Sequence, residues 1–165
     1  MSTGAYHQLT VSEVTPETDQ AVCVGFNVPD GLKDAFRFRP GQYLTLRADI
    51  DGETVSRSYS ICVGPGRDAL KVAIKRVEGG FFSNFANDQL KVGSTLDVML
   101  PQGHFCVDVD SQKAHNYLFI AAGSGITPIM SNIEAVLEAE PQSSVTLLYG
   151  NQRTSTIMFR QTLSF

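Results

Sequence analysis

Arg57-Ser58-Tyr59-Ser60 sets a planar fork of N–H donors, an aromatic ring with a polar tip and two hydroxyls within four residues. A guanidinium suits phosphate oxygens, a tyrosine ring stacks on a flat heterocycle, and a serine hydroxyl reaches the edge of one. Along a strand side chains alternate, so Arg57 and Tyr59 share one face and Ser58 and Ser60 the other. The same four residues could equally be a surface arginine beside a half-buried tyrosine. Further on, Gly79-Gly80-Phe81-Phe82-Ser83-Asn84 places glycines just before a helical pattern. Backbone N–H groups bared by glycine, together with the positive end of a helix, attract anions. Ser83 could instead serve only to cap that helix.

Two more clusters lie near the end of the chain. Gly123-Ser124-Gly125-Ile126-Thr127-Pro128 separates an apolar run from a helical stripe. Its glycines allow a tight turn and close approach of a pyrophosphate, and Pro128 suits a first helical turn. Pro128 occupies the place of the third glycine in G-x-G-x-x-G, so the loop departs from a standard Rossmann fingerprint. Gly150-Asn151-Gln152-Arg153 follows a second apolar run. In open α/β sheets ligands sit at the carboxyl ends of strands, where both loops fall, although Arg153 alone could be a solvated charge. His7, His104 and His115 show no metal-ligand spacing, no H-E-x-x-H or G-x-S-x-G occurs, and Asp49 and Asp51 flank a hairpin tip. No metal site is expected.

The elements that must position these clusters change character along the chain. From Tyr6 to about Val109 short strands alternate with turns: Val22, Val24, Phe26 and Val28 mark a strand with one buried face, and 43–47, 55–62, 70–77 and 95–100 read alike. Phe82, Phe85, Ala86 and Leu90 give one helical interruption. Residues 1–110 thus read as an antiparallel β barrel. Residues 111–165 read as strand, glycine loop, helix, strand, the start of an α/β nucleotide-binding domain whose apolar strands 117–122 and 145–149 should be buried on both faces. Two strands cannot cover their own faces, so this second domain is expected to be incomplete at Phe165.

Composition agrees with an ordinary globular chain: 165 residues, 42% hydrophobic and 18% charged. A net charge of -4 offers no basic surplus for a nucleic acid. With no apolar run of membrane-spanning length and a polar start at Met1, membrane partners and a signal peptide are not expected. Cys23, Cys62 and Cys106 are odd in number and widely spaced, which fits a cytoplasmic protein without disulfides.

Each cluster alone is ambiguous, but their order resembles the ferredoxin-NADP reductase superfamily, and within it the reductase components of phenylacetyl-CoA epoxidases. Pro40-Gly41-Gln42-Tyr43, Arg57 to Ser60, Gly80 to Asn84, Leu90 to Gly93, Pro101 to Phe105, Ala122 to Pro128 and Leu148 to Arg153 carry the resemblance over nearly the whole chain. It implies a Greek-key FAD-binding barrel followed by an NAD(P)-binding domain, with electrons passing from NADH or NADPH through FAD to a one-electron acceptor such as an iron–sulfur centre, that of an oxygenase among them. By position, Arg57 and Ser58 would hold FAD, Tyr59 would stack on the isoalloxazine and Ser60 would sit near its N5. Ala73, Ile74 and Lys75 would line the ribityl and adenine path, and Gly80, Phe81, Phe82 and Ser83 the pyrophosphate. Gly123, Ser124, Gly125, Ile126, Thr127 and Pro128 would form the nicotinamide loop, with Thr127 close to both cofactors and Tyr59, Ser60 and Thr127 nearest the reaction. Gly150, Asn151 and Arg153 would face the nucleotide. Related reductases carry a plant-type [2Fe–2S] domain, whose four-cysteine set these three cysteines cannot supply. The alternative is a flavin-binding module without reductase activity of its own.

Overall fold

Eight strands and three α-helices are described in the computed structural model, which covers residues 5–66 and 69–163. Phe165 lies outside the described residues. β1 (Tyr6–Thr18), β2 (Ala21–Asn27), β3 (Tyr43–Ile50), β4 (Glu53–Ser60), β5 (Leu70–Lys75) and β6 (Thr95–Met99) pair antiparallel in the order β4-β3-β6-β1-β2-β5. β6 returns over a long connection to lie between β1 and β3, a Greek-key crossing. A bridge between Ile61 and Val72 draws the end of β4 toward β5 and curls the sheet toward a barrel. The β3–β4 hairpin turns on Asp51 and Gly52, with φ of 50° and 84°, the positive values that a two-residue hairpin with strand-matching twist requires. β1 is long and twice irregular, and its Pro16 falls where β6 no longer pairs with it, so the missing N–H breaks no ladder on that side.

Leu9, Val24, Leu44, Leu46, Val72, Ile74 and Val98 are wholly buried inside the curled sheet. α1 (Phe81–Asp88) closes it, because Phe82 and Ala86, one turn apart, both enter that core. β7 (Asn116–Ala122) and β8 (Ser144–Gly150) then form a parallel pair in register from Asn116 opposite Ser144 to Ala122 opposite Gly150. α2 (Ile126–Ala139) is the crossover between them, and the short α3 (Arg160–Leu163) follows.

α2 is buried almost all round, since its apolar side chains meet both the parallel pair and the barrel wall. Ile126, Ile129, Ile133 and Val136 pack in one cluster with Phe119 and Ala121 and with Ala21, Cys23, Cys62 and Ala73 of the barrel. This corrects two expectations. β2 is buried on both faces rather than one, because the face carrying Ala21 and Cys23 lies beneath that cluster. β7 and β8 are covered on one face only: Leu118, Ile120 and Leu148 are 60%, 69% and 54% exposed, since α2 takes the other face and no described element packs over this one.

Candidate functional site

β4 presents the first cluster. Its register sets Arg57 opposite Leu46 and Tyr59 opposite Leu44, and both leucines are wholly buried. Cross-strand partners share a face, so Arg57 and Tyr59 belong to the core side and Ser58 and Ser60 to the other, as alternation predicts. β4 ends the sheet, however, which leaves Arg57 exposed and Tyr59 half-buried. The Tyr59 ring leans on Phe82 of α1, with centroids 5.7 Å apart and planes at 38°. Burial pushes its phenol up to about 12, against the pull of Arg57, so the ring stays neutral at any physiological pH. Among the described residues its hydroxyl has no hydrogen-bond partner. Among the described residues Arg57 donates only to the carbonyl of its neighbour Ser56, at 2.7 Å, and faces no carboxylate. Six other basic side chains, Lys33, Arg37, Arg39, Arg47, Lys71 and Arg76, each have one. Ser58 shares a hydrogen bond of 2.9 Å with Thr45, while Ser60 sits opposite Tyr43.

The second cluster is a turn held rigid by its own serine. The Ser83 hydroxyl accepts the Val77 N–H at 3.1 Å and donates to the Gly80 carbonyl at 3.3 Å. A Cβ on Gly80 would stand 2.5 Å from that hydroxyl, so the turn closes only over glycine, and Gly79 before it has φ of 68°. The hydroxyl of Ser83 is thus a strut of the loop: it stands third in α1 and accepts none of the helix's own N–H groups, which corrects its reading as a capping residue. What remains for an anion is backbone: the N–H groups of Phe81, Phe82 and Ser83 begin α1 and have no acceptor within the helix. Phe81 is exposed and Phe82 buried. Asn87 binds this turn to β5, donating to the carbonyls of Ser83 at 2.8 Å and Ile74 at 3.2 Å. The side chains of Ala73 and Ile74 are buried on opposite sides of β5, which leaves only backbone there.

Gly123, Ser124 and Gly125 form one 3-10 turn leading directly into α2. Thr127 is buried and donates to the Ser124 carbonyl at 3.0 Å; Ile126 is wholly buried; Pro128, third in α2, stands where a missing N–H costs no helical bond. Two links tie this turn to its surroundings. The Tyr149 hydroxyl at the end of β8 donates to the Gly123 carbonyl at 3.0 Å, and Lys75 of β5 brings its Nζ to 4.0 Å from where a Gly123 Cβ would be. Lys75, with no carboxylate partner among the described residues, therefore joins the barrel to the glycine turn, a closeness no sequence spacing discloses. Beyond Gly150, the Asn151 amide oxygen and nitrogen are both buried, close enough to the Tyr149 phenol to pull its pKa down against the rise that burial causes, while Arg153 is exposed. Among the described residues no group of His, Cys, Asp and Glu is arranged to hold a metal ion, and no helix is long and apolar enough to cross a membrane.

Residues 8–106 match the family described as the oxidoreductase FAD-binding domain, and residues 119–164 the oxidoreductase NAD-binding domain. The chain belongs to the ferredoxin-NADP reductase superfamily. It is 48% identical over 159 residues to a subunit of the 1,2-phenylacetyl-CoA epoxidase of Escherichia coli K12, covering 96% of this chain and 45% of that protein. To the ferredoxin reductase component of 3-ketosteroid-9-alpha-monooxygenase of Mycobacterium tuberculosis it is 41% identical over 164 residues, again covering 45% of the relative. The fold is that of phthalate dioxygenase reductase, described as a modular structure for electron transfer from pyridine nucleotides to [2Fe–2S]. The TM-score is 0.76 at 23% identity, over 97% of this chain and 48% of that one. The chain thus spans under half the length of the curated relatives it matches.

The residues present fit the two cofactors of this superfamily. A Cβ on Gly79 or Gly125 would enter open space, so both turns leave room beside bare backbone for something outside the chain. Arg57 and the start of α1 supply donors without protein acceptors, suited to a diphosphate. The buried Asn151 amide, beside Tyr149, brings a donor and an acceptor to the carboxyl end of β8.

Proposed function

We propose that this chain forms the flavin barrel, residues 1–110, and the opening of the nucleotide domain, 111–165, of a cytoplasmic NAD(P)H-dependent reductase serving the iron–sulfur centre of an oxygenase. When bound, FAD supplies acceptance of a hydride from nicotinamide and release of electrons one at a time. The chain's own contribution is to bind and orient. Arg57 and the backbone of Gly80, Phe81, Phe82 and Ser83 hold the flavin diphosphate, while Ser58, on the reverse face of the strand, steadies it through Thr45. Tyr59, kept neutral by burial and braced by Phe82, offers a flat face to the ring system, with Ser60 beside it. Gly123 to Pro128 receive the pyridine nucleotide, and Gly150, Asn151 and Arg153 meet its far end. No side chain here needs to act as acid, base or nucleophile, since placing two rings face to face supplies the catalysis.

The observation that carries this reading is the meeting of Lys75 with Gly123, which sets the end of the barrel's β5, beside the α1 anion cradle, against the glycine turn. The test is a visible spectrum of the purified chain supplied with FAD, followed by anaerobic NADH and then NADPH. Bound flavin that bleaches supports the reading, and the faster nucleotide is the physiological one. Failure to bind FAD overturns it. The open face of β7 and β8 favours a second reading, a flavin-binding module that needs further polypeptide for nucleotide chemistry. Flavin that binds but stays oxidised selects that one.

A further inference from the structure

α2 carries two polar residues where an apolar helix face would be expected. Ser131 and Asn132 are 0% and 1% exposed, at the point where the helix lies against the barrel. Burying a hydroxyl and an amide is unfavourable unless every polar atom finds a partner, and here each does. The Ser131 hydroxyl donates to the Val63 carbonyl at 2.6 Å and accepts the Gly41 N–H at 3.3 Å. The Asn132 amide oxygen accepts the Val107 N–H at 2.9 Å, and its nitrogen donates to the carbonyls of Phe105 at 3.3 Å and Pro128 at 2.8 Å. One turn of helix therefore grips three separate stretches of backbone, at 41, 63 and 105–107. A neighbouring bond from the Gly64 N–H to Glu134, at 2.7 Å, extends the grip.

The gripped stretches are those that flank the flavin tetrapeptide. Gly41 and Gln42 lead into Tyr43, which pairs with Ser60; Ile61 donates to the Gln42 carbonyl at 2.9 Å; Val63 follows three residues after Ser60. The helix making the grip begins at Ile126, straight after Gly125, and Asn132 reaches back to the Pro128 carbonyl in the nucleotide loop itself. Side chains packed by dispersion alone tolerate sliding, whereas directed hydrogen bonds to fixed backbone groups do not. Gly41 adds the complementary constraint: a Cβ there would lie 1.9 Å from the Phe105 carbonyl oxygen and 2.6 Å from the Asn132 amide nitrogen, so the helix seats only against bare backbone.

We infer that Ser131 and Asn132 are positioning residues, a polar clasp that fixes the distance between the nicotinamide turn and the flavin face across the seam of the two domains. The inference rests on the functional reading above. Neither residue touches a cofactor; both act through the backbone they hold.

The test uses the full 165-residue chain. Ser131→Ala, Asn132→Ala and the double substitution are compared with the unsubstituted chain by two independent measurements. The first is the distance distribution between spin labels on Glu53→Cys in the barrel and Glu138→Cys on α2, in a Cys106→Ser background. The second is an anaerobic stopped-flow titration of the FAD-loaded chain with NADH, separating dissociation constant from limiting rate. The clasp predicts a shifted or broadened label distance, FAD and NADH affinities within about threefold, and a limiting rate lower by about tenfold or more, because small displacements at a reacting pair are magnified in rate. An unchanged distance distribution overturns it, and so does a limiting rate that falls only in proportion to FAD affinity, the mark of general destabilisation. Should the double variant fail to fold, the single variants decide by the same criteria. If the unsubstituted chain binds FAD but is not reduced, the functional reading falls, and the label distances alone uphold or overturn the clasp.

Discussion

Arg57 and Tyr59 stand three and one residues from the end of the same strand, yet they respond to different forces. Arg57 is exposed and its guanidinium is matched only by a neighbouring carbonyl, so it contributes little to the fold. Arg57→Ala should therefore leave the melting temperature within about 2 °C, since surface changes rarely exceed about 0.5 kcal/mol. It should raise the Kd for FAD by about tenfold or more, because a charge-assisted hydrogen bond is worth about 1.5–3 kcal/mol. Titration of flavin fluorescence alongside a thermal melt separates the two effects; an unchanged Kd would remove Arg57 from the site. Tyr59 is governed by desolvation. Burial raises its phenol from 10.0 to about 12, so the folded chain holds that proton more tightly than the unfolded chain. Its contribution to stability is complete below pH 10 and is lost as pH climbs through the folded value. Urea melts between pH 9 and pH 11 should show a shallower decline for Tyr59→Phe than for the unsubstituted chain, and parallel declines would refute the assignment.

At the scale of elements, the turn before α1 shows how one atom can set the shape of an anion site. A methyl on Gly80 would press on the Ser83 hydroxyl and the Val77 carbonyl, at 2.5 Å and 3.0 Å. Gly80→Ala is thus expected to destabilise the chain by about 1–3 kcal/mol and to weaken FAD binding together with it. Gly79→Ala meets no atom but must hold φ near 68°, so it should cost only about 1–2 kcal/mol of backbone strain. Denaturant titration of both variants checks the order. Such turns are legible in sequence because glycine pairs are rare signals with one physical meaning, and the hairpin at Asp51-Gly52 is legible for the same reason. β1 is not: Glu13, Thr15 and Pro16 look like a linker, and only pairing with β2 makes them a strand. The period of β2 announces one buried face and the unbroken apolar run of β7 announces two, but neither tells what covers each. The Ser131–Asn132 pair leaves no sequence signal either, because two polar residues in a helix ordinarily face water.

For the whole molecule, the face bearing Leu118, Ile120 and Leu148 is the main departure from an ordinary protein surface. Contiguous exposed apolar side chains drive association. Ile120→Thr with Leu148→Thr should lower concentration-dependent light scattering while leaving the thermal melt within about 2 °C, since neither side chain is packed. Scattering that persists would place the sticky surface elsewhere. The family resemblance is readable over nearly the full length because its signals are backbone turns and helix starts, which survive sequence change. The seam between the two domains is not, because it is built from residues far apart in the chain.

That seam has a consequence for inheritance. Ala21, Cys23, Cys62 and Ala73 belong to the barrel by chain order, yet their side chains lie in the cluster around α2, while Val22, Val24, Val72 and Ile74 between and beside them line the barrel interior. The wall is a single sheet serving two cores, and its outward side is made of small side chains that let a helix come close. Cutting near residue 110 would bare that wall, so the barrel is not a cassette that can be lifted out whole. Recombination that exchanges nucleotide domains between relatives should yield folded hybrids only when those four small residues are exchanged along with the helix that rests on them.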